Sequence, residues 1–170
     1  MPRFIVAYVR YVEAFNRAVG KFAMYLILLL LGILLYAAFS KASTDISPIW
    51  TVEMAQFTLT AYFMLGGAYA LQNNALVRMD LFYSHWKPRT RAIVDCITII
   101  GLLIYLAILL YGAVISTHYT FEIGQRRPSA WQPYLWPIRT IMSIGVLMML
   151  LQAIATFFKD LAIARGKPIE

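Results

Sequence analysis

Four stretches of this chain contain no Asp, Glu, Lys or Arg. They lie between Lys21 and Lys41, Glu53 and Arg78, Asp95 and Glu122, and Arg139 and Lys159, and hold 19, 24, 26 and 19 residues. A helix needs about 20 predominantly apolar residues to cross the hydrocarbon core of a bilayer. The strands of a membrane β-barrel would instead alternate in short segments. The runs predict an all-α membrane protein with four transmembrane helices, at 22–40, 54–73, 96–117 and 140–158, in one membrane domain covering 1–170. Composition agrees: at 61% hydrophobic and 14% charged, 170 residues carry more apolar surface than a soluble domain of that size can hide. The first run exceeds the ~7–15 residues of a signal-peptide core, so it reads as a helix that stays. The lone cysteine, Cys96, excludes an internal disulfide.

The net charge of +7 does not point to nucleic acid, because the basic residues flank apolar runs as membrane anchors do. Arg3, Arg10, Arg17 and Lys21 precede the first run. Arg78, Lys87, Arg89 and Arg91 lie in the second loop, and Lys159, Arg165 and Lys167 in the tail. With four spans these eleven share one side, against Lys41, Arg126, Arg127 and Arg139 on the other. The positive-inside rule then places both termini of this multi-pass protein in the cytoplasm. Arg3, Arg10 and Arg17 recur every seven residues, with Phe4, Tyr8, Tyr11, Val12, Phe15 and Val19 largely opposite. That pattern predicts an amphipathic interfacial helix over 3–21, serving as an anchor or as a surface for a partner helix.

Polar side chains within the runs are the next clue. Pro48 can begin the second helix, which puts Glu53 in its first turn near the positive end of the helix dipole. Glu53, Thr60, Gly67 and Asn74 are seven apart, and Gln56 shares their stripe. Such a face is costly in lipid and is expected to meet protein. Gly66 with Ala70, and Gly112 with Ser116, are spaced for close helix packing. Gly145, Met149, Gln152 and Thr156 share one face of the last helix. Arg78 and Asp80 sit at the membrane surface, Trp86 reads as an interfacial anchor, and Arg89 and Arg91 are placed to touch anionic headgroups.

The loop "GQRRPSAWQPYLWPIR" sets Arg126 and Arg127 on the side that disfavours arginine. Gly124 can cap the third helix in a left-handed conformation, leaving both arginines near its negative end or against headgroup phosphates. Alternatively, Trp131, Tyr134 and Trp136 fix a proline-stiffened loop at the interface and present the arginines as a docking site for an acidic partner.

The chemistry that is missing narrows the choice further. No Asp, Glu, Lys or Arg lies in the middle of a span, whereas a cation-coupled carrier usually needs one there and a small multidrug exporter needs a mid-membrane acid. No span is broken by proline in the manner of transporter sites. His85 and His118 fall on opposite sides and cannot share a haem iron. The residues offer no catalytic nucleophile, phosphate loop, metal cluster or cofactor site, so an enzyme is not expected.

Four segments then converge: "WTVEMAQFTLTAYFMLGGAYAL", "NNALVRMDLFY", "KPRTRAIVD" and "GQRRPSAWQPYLWPIRTIMSIGVLMMLLQAI". Over roughly residues 20–160 the chain resembles the small membrane subunit, the DctQ type, of tripartite ATP-independent periplasmic (TRAP) transporters. Members often carry His before the Arg-x-Asp element, where this chain has Leu76. The resemblance implies a scaffold that braces a large membrane subunit. That partner would import an organic acid or similar solute on a sodium gradient, and a periplasmic binding protein would deliver it. The coupling sodium would belong to the large subunit. A membrane anchor for a redox enzyme and a stand-alone small transporter are the other readings.

Overall fold

The structure is a computed structural model that describes residues 3–46, 48–73, 75 and 88–164. Among these the chain forms four helices: α1 (Arg3–Thr44), α2 (Ile49–Gln72), α3 (Pro88–Ile123) and α4 (Trp136–Ala164). Three of them are long and apolar enough to cross a membrane: Phe4–Thr44, Ile97–Ile123 and Trp136–Ile163. The fourth, α2, falls short in apolarity, since Glu53, Gln56, Thr58, Thr60 and Gln72 dilute it. Its 24 residues still rise about 36 Å, enough to match a hydrocarbon core.

The helices overrun the charge-free runs, because a helix does not stop where the apolar residues do. The separate interfacial helix expected at 3–21 is not found: it and the first span are one continuous helix of 42 residues. No proline interrupts it, and its inward stripe of Val9, Asn16 and Ala23 keeps a seven-residue phase through Gly20. α1 ends at a left-handed residue, Asp45 (φ 56°), whose N–H donates to Lys41 O at 3.0 Å. Asp tolerates that conformation better than most residues. Pro48 then caps α2 from outside the helix. Glu53 therefore falls beyond the first turn, and the helix-dipole account of it does not hold.

α4 is the hub. A third of its span is buried, against about a tenth in α1 and α3. It packs along α3, α2 and α1, while α2 also lies along α1. α3 packs chiefly on α4, leaving Ile104, Ile108 and Tyr111 exposed on its far side. The interior is built mostly from small residues, among them Ala23, Ala61, Ala68, Ala153, Ala155 and Ala162. Lipid is as apolar as leucine, so close backbone approach rather than exclusion of water drives helices together in a bilayer. Glycines mark the tightest places. A Cβ on Gly145 would lie 2.7 Å from Met64 O of α2, and one on Gly20 2.4 Å from Cγ of Tyr69. A Cβ on Gly112 would meet no atom of the described residues within 4 Å, so on this helix the close approach is not made at Gly112.

Candidate functional site

The polar stripe of α2 is divided between the interior and the surface. Glu53 is only 7% exposed, and its Oε2 has no hydrogen-bond partner among the described residues. Gly67 faces α4, where a Cβ would meet Met149 Sδ at 2.9 Å. Thr60 is half-buried and donates to Gln56 O at 2.8 Å, while Gln56 itself is exposed. The outward stripe of α2 runs instead through Val52, Gln56, Leu59, Phe63 and Asn73, with half-buried Gly66 and Ala70 between. At about 100° per residue it lies roughly a quarter turn from the Glu53–Thr60–Gly67 line.

Along that stripe, Phe63, Gly66, Ala70 and Asn73 join Gly20 and Met24 of α1 in lining a cleft of about 550 Å³. A Cβ on Gly66 would meet nothing within 4 Å. The two adjacent glycines thus differ: Gly67 is filled by the chain's own methionine, and Gly66 is open. Asn74, Arg78, Asp80 and Trp86 lie outside the described residues.

The loop between α3 and α4 is an ordered ribbon. Gly124 adopts φ +62°, and Gln125 N–H reaches back to Thr120 O at 3.2 Å, the longer hydrogen bond of a Schellman cap. Leu135 N–H donates to Gln125 O at 3.0 Å and Arg127 N–H to Pro133 O at 3.0 Å, closing the strand-like pairing of Arg126 with Tyr134. The Arg126 guanidinium lies 4.3 Å from the Tyr134 ring centroid and donates to the Tyr134 hydroxyl. Arg127 reaches α2, its Nη1 donating to Gln56 Oε1 at 2.6 Å. The structure thereby joins two residues that the sequence assigned to separate surfaces. Trp131, Tyr134 and Trp136 stay partly exposed and line a cleft of about 610 Å³ with Met54, Phe57 and Leu26. Trp136 also meets Phe121 edge-on, with 6.2 Å between centroids.

Sequence reasoning missed two polar locks. Arg139 Nη1 donates to Ser116 Oγ at 2.7 Å, to Ser116 O at 3.1 Å and to Thr120 Oγ1, tying α4 to α3. Beside it, Thr117 Oγ1 and Ser143 Oγ are 2.9 Å apart. Towards the other end of α4, Asn16 Nδ2 donates to Gln152 Oε1 at 2.7 Å with both side chains buried, and Lys159 pairs with Glu13. The signal was present in part. Ser116, Thr117 and Thr120 cluster within one turn of an apolar helix, and Gln152 lies on the α4 face already marked for packing.

This is a helical membrane bundle whose polar groups are used mainly to hold helices together. Over residues 30–163 its sequence matches the family described as tripartite ATP-independent periplasmic transporters, DctQ component. The chain belongs to the DctQ family. Comparisons with curated proteins and with solved structures each gave no match. As a DctQ-family chain it is the small permease subunit of a TRAP transporter and a multi-pass membrane protein. Such transporters also comprise a large membrane subunit and a periplasmic binding protein. The DctQ family is a transporter component and not an enzyme family.

Proposed function

We propose that this subunit braces the large membrane subunit of its transporter, with four spans and both termini cytoplasmic in the inner membrane. The large subunit would carry the coupling sodium and import an organic acid or similar solute. The observation that supports bracing is the open α2 stripe. Gly66 sits in a cleft edged by Phe63 and Ala70, and nothing among the described residues fills it. A helix of the large subunit can approach the backbone there, as small residues permit in membranes. Gln56, shared by the expected and the observed stripes, stands at the outer end of this surface. Glu53 and Gly67 act beneath it, by setting the packing of α2.

Co-expression with the large subunit tests this reading. Gly66→Leu should abolish co-purification while the isolated variant keeps its helix content. If the Gly66→Leu complex assembles and transports normally, the large subunit binds elsewhere. Reporter fusions at residue 170 and in the Lys41–Trp50 loop should give opposite signals, and a periplasmic C-terminus would overturn the topology. Docking of the binding protein is assigned to Arg126, whose exposed charge rests on Tyr134. Arg126→Glu alone should slow uptake at low salt and leave assembly intact. Arg127→Glu would also break the contact with Gln56, so it separates the two roles less cleanly.

A further inference from the structure

At the end of the molecule that carries the N-terminus, a cleft of about 280 Å³ opens between α1 and α4. Val6, Val9 and Ala14 line its apolar part, while Arg10, Arg17, Glu13 and Lys159 supply the charge. Glu13 is paired with Lys159, and no described carboxylate is paired with Arg10 or Arg17. Three cations therefore share one anion, leaving an excess of two positive charges in a partly enclosed space.

We propose that Arg10, Arg17 and Lys159 hold the phosphate of an anionic phospholipid headgroup in the leaflet nearest the N-terminus. Basic pockets between membrane helices at headgroup depth have the chemistry to take such groups. Depth is set by α4: Lys159 is the first charge after the apolar run 140–158. Orientation is set by α1. Phe4, Tyr11, Phe15 and Phe22 form an exposed aromatic stripe about 130° around the helix from Arg10 and Arg17. Of these rings Phe22 opens the apolar run 22–40 and sits where interfacial aromatics settle, which leaves Arg17 about 7 Å further out along the helix, at headgroup depth. A free phosphate would use the guanidinium groups but not the Val6–Val9–Ala14 wall, so the lipid is the occupant that uses the whole cleft. Glu13 has a distinct role: it holds Lys159 in place and lowers the charge that attracts the ligand.

Native mass spectrometry of the full chain in neutral detergent tests this, with short-chain phosphatidylglycerol, phosphatidylcholine and inorganic phosphate as probes. Phosphatidylglycerol should bind in preference to the other two. Arg10→Gln with Arg17→Gln should weaken it about thirtyfold, from the contribution typical of two basic residues at a membrane surface. Arg10→Lys with Arg17→Lys should keep most of the affinity. Glu13→Gln should tighten binding about fivefold by removing the one anion, a change of sign that a merely structural role would not give. Lys21→Gln with Lys41→Gln, outside the cleft, should have little effect. Equal losses in this control and in the arginine variant would mean diffuse attraction and overturn the site. Equal binding of inorganic phosphate, unchanged or weaker binding in Glu13→Gln, or loss of lipid on assembly with the large subunit would also overturn it.

Discussion

On its α2 side, α4 is held by backbone proximity: Gly145 lies against Met64 O, and Met149 enters the space over Gly67. On its α3 side the outer end is held by hydrogen bonds from Arg139 to Ser116 and Thr120, and by the contact of Thr117 with Ser143. Further along this second seam Leu106 packs with Val146 in the apolar core. The two seams teach different things about packing in lipid. A glycine contact depends on what is absent, so any added atom damages it. A hydrogen-bonded contact depends on what is present, so it weakens by stages as partners are removed.

The sharpest way to break this contrast is to add one methyl group. Gly145→Ala should destabilise the isolated chain by about 2–3 kcal/mol, because the obstructing atom is backbone and cannot rotate away. Unfolding in mixed micelles, followed by tryptophan fluorescence, would show it. A variant as stable as the parent would mean that α2 and α4 do not approach so closely. Next comes Arg139→Met, which removes the donor from the other seam. A loss of about 1–2 kcal/mol is expected, at the upper end for interhelical hydrogen bonds in membranes. Cysteine cross-linking between the outer ends of α3 and α4 should fall in parallel. Asn16→Leu, which breaks the buried pair with Gln152, should cost about 1 kcal/mol, read as easier proteolysis of the N-terminal part of α1. The smallest effect belongs to Gly67→Ala. Its obstacle is the end of a flexible Met149 side chain, which can move aside, so stability should change by less than about 0.5 kcal/mol. A large loss there would erase the distinction between a rigid and a yielding neighbour.

The four helices were legible because charge-free runs of helical length leave few alternatives, and the cap at Gly124 followed from local chemistry alone. The continuity of α1 was harder to see. Lys21 marks a change in composition, which resembles an element boundary, yet Val9, Asn16 and Ala23 carry one face straight across it. Polar and small residues of α2 suggest a partner-facing stripe a quarter turn from the face that its packing leaves outward. Small residues serve a neighbouring helix equally well inside one chain, and no periodicity distinguishes the two. The partners of Arg126 and Arg127 show a similar limit. Tyr134 is eight residues from Arg126, but Gln56 is 71 residues from Arg127, and only the folded bundle joins them.

The unbroken α1 has a mechanical consequence. Its 42 residues make a rod about 63 Å long, roughly twice the hydrocarbon thickness. The inner part is clamped by Glu13 and Asn16 to α4 and by Gly20 to Tyr69. With Gly20 as fulcrum, Thr44 lies some 36 Å away, and a tilt of about 10° sweeps it sideways by about 6 Å. The stack of Tyr36 on Trp50 would transmit that displacement to the start of α2. A small rotation at one end of the rod is thereby geared up into a movement of about half a helix diameter at the other.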